Sequence, residues 1–246
     1  MTDLDVALDD ERQPGAEAVD STSRAYSEVR AAILDGTLAP GQWVSRVRLA
    51  AELKLSRTPL REALRLLENE GLVETVLNRR LRIPPLSIAD LEALYALRIA
   101  AEPLAVRVSV PQLDGPELEA IEKAKADLDG ATTNFATYHR RFHFGLFQHA
   151  APRVRRHVED LWDHAERYRL LYQRGAQAAL RELSAREHDA ILEAARARDG
   201  ELCGRLVAEH LARTALTVIV QVDGARDPRI VRESLRYVLE AAPPAP

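Results

Sequence analysis

Three arginines recur every four residues between Ser56 and Val73: Arg57, Arg61 and Arg65. The apolar positions of the same segment are Leu60, Ala63, Leu64 and Leu67. Their spacing predicts a helix that is buried along one face and carries the arginines outside it. A guanidinium group can donate two hydrogen bonds to O6 and N7 of guanine, so such a face suits DNA. A solvated basic face has the same pattern, and the flanking sequence must distinguish the two.

The ends of this predicted helix carry recognisable signals. Pro59 suits the first helical position with Thr58 as N-cap, and Ser56 is an alternative cap. Gly71 stands where a left-handed residue commonly ends a helix, and Leu72-Val73 then reads as an extended exit.

The flanks predict a helix-turn-helix with a wing. A short helix is expected from Arg46 to Lys54, capped by Ser45, with only Leu55 and Ser56 before the arginine-bearing helix. Its expected buried residues are Leu49, Ala50 and Leu53. Two helices joined this tightly are the core of a helix-turn-helix, whose second helix enters a major groove. Strand candidates at 73–77 and 81–83 enclose Asn78-Arg79-Arg80, which gives a hairpin with a basic tip.

This part of the chain resembles the GntR family of bacterial transcription regulators. The resemblance rests on LAAELKLSRTPLREALRLLENEGLV, preceded by Gly36-Thr-Leu-Ala-Pro40-Gly41. It implies a winged helix-turn-helix that binds a double-stranded operator, expected to be an inverted repeat. The candidate DNA-binding residues are Arg46, Arg48, Ser56, Arg57, Thr58, Arg61, Arg65, Arg79 and Arg80.

Two positions depart from the family pattern. Arg80 stands at the wing tip where the family usually has glycine, so the reach of the wing into a groove is open. Val47 stands where the family usually has arginine, and either Arg46 or Arg48 is a possible substitute. Arg65 lies farther from the helix N-terminus and is expected to contact phosphate or face solvent.

Four of the seven histidines form a second pattern. His139 and His143 are four residues apart and therefore share one helix face. His188 and His210 fall on two later predicted helices, each beside apolar residues. A single histidine on an apolar face is usually a packed residue, so the proposal of a metal site depends on all four. The other three, His149, His157 and His164, are expected to be surface or packing residues.

The helical half resembles the FCD effector domain of the FadR subfamily within GntR. The matching stretches are Asp90 to Arg98, Phe142-His143, Ser184-x-x-Glu187-His188-x-x-Ile191-Leu192 and His210-Leu211. The resemblance implies a homodimer, a small organic acid effector and a divalent metal held by His139, His143, His188 and His210. The family normally has Asp at the first of these positions. Four imidazoles make a neutral ligand shell, which suits zinc or nickel, although the change at His139 could also have cost the site its metal.

Arg98 is the candidate effector-binding residue, because FCD domains often have an arginine near the pocket. A buried guanidinium can hold a carboxylate through two parallel hydrogen bonds. An ion pair with Glu102, one helical turn later, explains the same residue equally well.

Composition bounds the class of protein. Aromatic residues make up 5% and charged residues 29% of 246 residues, a profile that favours helices. The net charge is −4, yet residues 24–85 carry eleven basic and seven acidic residues, which places the positive charge at the motif. The single cysteine excludes a disulfide framework, and no segment is apolar enough to span a bilayer. A cytoplasmic protein without membrane contact is expected.

The predicted fold is mainly α, a winged helix-turn-helix domain followed by an all-helical antiparallel bundle. The expected divisions are a disordered acidic tail at 1–23, the DNA-binding domain at 24–85, the effector, metal-binding and dimerisation domain at 86–223, and a C-terminal extension at 224–246. Ser23 is expected to cap the first helix, and a short helix is expected at 226–240.

The sequence therefore predicts a transcriptional regulator, foremost a repressor, controlled by a carboxylate bound near a metal. One alternative makes the metal itself the signal. A helical multi-histidine metalloenzyme is a weaker alternative, because no acidic residue lies at helical spacing beside His139 and His143 as a general base and the winged helix would be unexplained.

Overall fold

The chain divides into two compact units, with the boundary between Leu86 and Ser87. The computed structural model describes residues 14–76, 80–175 and 178–240. In the first unit the elements are α1 (Pro14–Leu34), β1 (Trp43–Val44), α2 (Arg46–Glu52), α3 (Arg57–Asn69), β2 (Glu74–Val76) and β3 (Arg80–Arg82). The three strands form an antiparallel sheet in the order β1-β3-β2.

Helix α1 begins earlier than the sequence predicted. Residues 14–23 are helical, so the prediction of a disordered tail over 1–23 is wrong for that part, and residues 1–13 lie outside the described residues. Ser23 is therefore inside the helix and does not cap it. The buried residues Ala25, Val29 and Ile33 anchor the C-terminal half of α1, and a helix extends from an anchored turn at little cost. Pro14 suits the first helical turn.

The predicted helix-turn-helix is present. Ser45 caps α2 by accepting a hydrogen bond from the Arg48 backbone N–H, while α2 ends at Glu52 and buries only Leu49. Helix α3 buries the apolar face that its spacing predicted, namely Leu60, Ala63, Leu64 and Leu67. Gly71 has a φ of +72° and closes the helix as expected.

The N-cap of α3 is Ser56, so the assignment of Thr58 as cap is wrong. Thr58 and Pro59 occupy the second and third helical positions. Proline lacks a backbone N–H, and none of the first N–H groups of a helix has an intrahelical acceptor, so Pro59 fits the third position as well as the first.

The second unit contains seven α-helices within its described residues. They are α4 (Ile88–Ser109), α5 (Gly115–Asp129), α6 (Phe135–Leu146), α7 (Pro152–Gly175), α8 (Ala178–Arg196), α9 (Gly200–Val222) and α10 (Arg229–Glu240). A 3₁₀ turn at Val110–Gln112 follows α4. No described helix is long and apolar enough to cross a membrane.

Helices α4 and α9 pack closely at the centre of this unit, with α7 and α10 beside them. A Cβ added at Gly204 would lie 3.0 Å from the Pro103 carbonyl oxygen, and one at Gly200 would lie 2.4 Å from that of Arg107. These two glycines therefore permit the approach of the two backbones.

Helix α10, which the sequence predicted, belongs to this second unit. The buried Glu92 carboxylate of α4 accepts hydrogen bonds from the Arg226 guanidinium, at 2.9 Å, and from the Ile230 backbone N–H, at 3.0 Å. Val231 and Val238 of α10 are buried.

Candidate nucleic-acid interface and metal centre

The exposed face of α3 carries the three arginines that the sequence singled out. Arg57, Arg61 and Arg65 are all exposed, as are Ser56 and Thr58 at the start of the helix. The Arg61 and Arg65 side chains are each 71% exposed and lie 3.4 and 3.6 Å from the Glu62 carboxylate. Such surface pairs are weak, so the guanidinium groups can exchange Glu62 for phosphate or base edges.

The two arginines on α2 are placed differently. Arg46 is half-buried, and its Nη2 donates to the Thr75 hydroxyl on β2 at 3.3 Å. Arg48 is exposed, with its Nε 2.6 Å from the Glu52 carboxylate. Arg46 thus ties the helix-turn-helix to the sheet, and Arg48 is the more accessible of the two.

The sheet presents a basic surface around Trp43 that was not predicted from the sequence. The Arg80 guanidinium lies 4.3 Å from the centre of the Trp43 ring, and that of Arg82 lies 5.5 Å from it. In the antiparallel register Trp43 pairs with Arg82, a pairing that the sequence alone does not give. The predicted DNA contact Arg79 lies outside the described residues.

The four predicted histidines meet in the second unit, contributed by α6, α8 and α9. Their ligand nitrogens all lie within 4.8 Å of one another. His143, His188 and His210 are buried and His139 is half-buried. The Nε2 atoms of His143 and His188 are 3.2 Å apart. His149, His157 and His164 are not part of this cluster.

The cluster fits a divalent transition metal by its donors and its spacing. Two imidazole nitrogens that each lie about 2.0–2.1 Å from one tetrahedral ion are roughly 3.4 Å apart, close to the observed His143–His188 separation. All four donors are imidazoles, which suit zinc, nickel or copper better than magnesium or calcium.

The Glu187 carboxylate supports His210, a role that was not predicted from the sequence. The Glu187 carboxylate lies 2.7 Å from Nδ1 of His210 and also accepts a hydrogen bond from the Arg213 guanidinium. A proton on Nδ1 leaves Nε2 free as the metal ligand. Because Arg213 balances the charge of Glu187, the ligand shell itself stays neutral.

Burial favours the uncharged form of three of the four imidazoles, those of His143, His188 and His210. It lowers the pKa of His143 and of His188 well below the ordinary value, and the neighbouring histidines lower both further. Burial also lowers the pKa of His210, against the opposing effect of Glu187. A neutral imidazole has a lone pair available, so these three residues need not lose a proton before binding a metal.

A cavity of about 580 Å³ adjoins the cluster and is lined by all four histidines and by Arg98. The Arg98 guanidinium donates to Glu102 at 2.5 Å and lies 4.6 Å from the centre of the Trp162 ring. Burial alone would lower the pKa of Arg98, but the Glu102 carboxylate raises it above its ordinary value. Both geometries considered from the sequence are present, since Arg98 forms the ion pair and also borders the cavity.

Comparison with known proteins identifies the class to which this fold belongs. Residues 21–83 match the gntR family of bacterial regulatory proteins, and residues 93–213 match the FCD domain. The chain is 30% identical over 197 residues to the HTH-type transcriptional regulator YdhC of Bacillus subtilis, which covers 75% of this chain and 85% of YdhC.

Solved structures agree in fold. Escherichia coli McbR/YncC superposes with a TM-score of 0.70 at 23% identity, covering 82% of this chain and 99% of that one. A GntR transcriptional regulator from Rhodococcus sp. RHA1 superposes with a TM-score of 0.66 at 25% identity, covering 85% and 100%. The chain belongs to the GntR family and carries an FCD domain, as predicted. It is a transcriptional regulator and not an enzyme.

Proposed function

We propose that this regulator is a homodimeric repressor whose operator binding is released by a carboxylate bound at a metal in the second unit. The observation that carries the proposal is the convergence of four histidines and a buried arginine on one cavity of about 580 Å³. The volume lies within the range of small-molecule sites, which favours an organic effector over a metal acting alone as the signal.

The DNA-binding side rests on α3. Arg57 and Arg61 lie near its N-terminus and are exposed, which suits base contacts by a recognition helix. Arg65, Arg48 and the wing arginines Arg79 and Arg80 are assigned to phosphate or groove contacts. One recognition helix per chain favours an inverted repeat bound by a two-fold dimer in the cytoplasm, where the chromosome lies.

Dimerisation is supported by an apolar face on α4. The exposed or half-exposed residues of this face are Ala93, Leu97, Ala100, Ala101, Leu104 and Val108. The side chains of Leu97 and Leu104 are 54% and 55% exposed. A second copy of the chain is the occupant we assign, because an uncharged apolar face meets its own copy across a two-fold axis without like-charge conflict.

The effector side follows from the donor chemistry. With a zinc or nickel ion on the four histidines, the site carries two positive charges and attracts an anion. The ion would polarise a bound carboxylate, while Arg98 uses the N–H groups not engaged by Glu102 to hold the same end of the ligand.

The test is operator binding by protein purified without a histidine tag. An operator is selected from random DNA, and its dissociation constant is measured at fixed salt during titration with zinc, nickel and a set of carboxylates. The proposal expects metal to bind and a carboxylate then to weaken operator binding. Release by metal alone would instead favour the metal-responsive alternative. Less than about a tenth of an equivalent of metal per chain, even after zinc or nickel is added, would contradict the metal site.

A further inference from the structure

The cavity beside the histidine cluster has a lining that restricts its ligand beyond the presence of a carboxylate. The densest group of polar side chains in its lining is the histidine cluster with Arg98. The other buried or half-buried polar residues of the lining are Tyr95, Glu166, Ser184 and Thr214. Much of the remaining lining is apolar, formed by Leu128, Phe135, Trp162, Ala165, Ala185 and Leu211. We propose that the effector is a monocarboxylic acid with an apolar body about the size of a phenyl ring. This inference rests on the proposed function.

The restriction to one carboxylate follows from where positive charge is available. Arg98 is already paired with Glu102, so the metal supplies the main attraction for an anion. The exposed charged residues of the lining are Asp129, Arg181 and Glu182, and their net charge is negative. A second carboxylate that reaches toward these residues meets two acidic groups and one basic group, so a dicarboxylate or tricarboxylate is disfavoured.

The apolar body follows from desolvation. Each hydroxyl group of a sugar acid must find a hydrogen-bond partner inside the cavity, or its transfer from water is unfavourable. Away from the histidines and Arg98, such partners are limited to the side chains of Tyr95, Glu166, Ser184 and Thr214 among the buried or half-buried lining residues. The Thr214 hydroxyl already donates to the His210 carbonyl at 2.9 Å. An apolar body has no hydrogen bonds to water to lose on entering the cavity, and it gains contact with the apolar lining.

The aromatic side chains place this lining next to the predicted ion. Phe135 stacks on His139 with ring centres 5.5 Å apart, and the Trp162 ring centre lies 5.2 Å from that of His139 and 4.9 Å from that of His143. A ring joined to the carboxylate by one or two carbons would therefore lie against aromatic surface. An acid of two to four carbons would leave most of the volume unfilled.

Calorimetry on the zinc-loaded full chain tests the ligand class. The probes are phenylacetate, 3-phenylpropanoate, lactate, citrate and gluconate, with 3-phenylpropanamide as the uncharged partner of the second acid. We expect the two phenyl acids to bind at least about tenfold more tightly than the other three acids, because only they fill the apolar lining. The amide should lose most of this affinity because it brings no charge to the ion.

A cavity-filling variant provides the matched control. Ala185 lines the cavity and is half-buried, while Ala190 lies on the same helix, is exposed and does not line it. Ala185→Leu should weaken the phenyl acids about tenfold or more and leave lactate and zinc binding unchanged. Ala190→Leu should change none of the three. The zinc stoichiometry of each variant reports whether its histidine site is folded. If Ala185→Leu does not bind zinc, the ligand comparison on the parent protein tests the ligand class by itself.

The outcomes separate this inference from the proposed function. If no carboxylate binds the zinc-loaded protein, the proposed function is wrong and this inference with it. If carboxylates bind but citrate, gluconate or lactate bind as tightly as the phenyl acids, the ligand class is overturned and the proposed function stands. Binding of the amide as tight as that of its acid would show that the carboxylate is not recognised.

Discussion

The arginine face of α3 and the histidine cluster use opposite physical environments. The arginines lie on one helix and are exposed to water. The histidines come from three helices and are mostly buried, and burial lowers the pKa of His143, His188 and His210. The first site is suited to a large polyanion that approaches from outside. The second is suited to one ion and a small ligand that have left water. The difference shows why one helix suffices for the first, while the second depends on the packing of a whole domain.

The largest expected effect concerns the buried site. His143→Ala removes a metal ligand, so its loss of zinc affinity should exceed the roughly 10–100-fold typical when a residue supporting a ligand is removed. Competition with a chelator of known affinity measures the change. His149→Ala is the control, because His149 pairs with Glu117 at 2.8 Å outside the cluster and should leave zinc affinity as it is. Equal affinity in the two variants would exclude His143 as a ligand.

Substitutions on the arginine face of α3 should change DNA binding alone. Arg57→Ala and Arg61→Ala should each weaken binding to the selected operator by about 1–3 kcal/mol if the side chain reads a base edge. Fluorescence anisotropy at fixed salt measures this, with Arg155→Ala on α7 as a control. Zinc affinity should be unchanged in all three variants. Parent-like operator affinity in both α3 variants would mean that α3 does not enter the groove.

Removing the residue that supports His210 should have a smaller effect on zinc affinity than removing a ligand. Glu187→Ala should reduce zinc affinity by about 10–100-fold, because His210 loses the acceptor that fixes its tautomer and ring orientation. Glu187→Gln keeps an acceptor oxygen and should recover part of this loss. Nitrogen NMR of the imidazole groups provides a readout independent of affinity, since it reports which nitrogen of His210 carries the proton. An unchanged tautomer in Glu187→Ala would assign Glu187 to packing alone.

The smallest effect concerns the surface around Trp43. Arg80→Ala should lower the dependence of log affinity on log salt by about one unit if Arg80 makes one phosphate contact. Trp43→Ala should lower it by a similar amount, because the ring that holds the Arg80 guanidinium is gone, whereas Trp43→Phe should keep most of the slope. A parent-like slope in Arg80→Ala would mean that the wing points away from DNA.

Features that depend on a single segment could be predicted from the sequence, whereas features that depend on packing between segments could be predicted only in part. The buried face of α3 and the turn at Gly71 depend on residues within one segment, and both were predicted. The N-cap was assigned wrongly, because Ser56 and Thr58 are both good caps and Pro59 fits several positions of a first turn. The helical residues 14–23 were missed, because they carry no apolar periodicity of their own and extend a helix that is anchored farther along.

The buried site could be predicted only in part. The four-residue spacing of His139 and His143 places them on one face, but their meeting with His188 and His210 required the family resemblance. The contact of Glu187 with His210 and Arg213 depends on how α8 and α9 are rotated about their axes, which a single sequence does not give. Trp43 was missed for a related reason, since its neighbours are set by strand register across the sheet.

The measurement that tests the account most directly is the operator dissociation constant of the parent and of His188→Ala, both with excess zinc. Each is measured with and without the carboxylate that binds the parent most tightly. The account predicts that the carboxylate weakens operator binding by the parent about 5–150-fold, the usual range of coupling between sites. His188→Ala should bind the operator like the ligand-free parent and show no response to the acid. An equal response in the variant would contradict control of the arginine face by the histidine site.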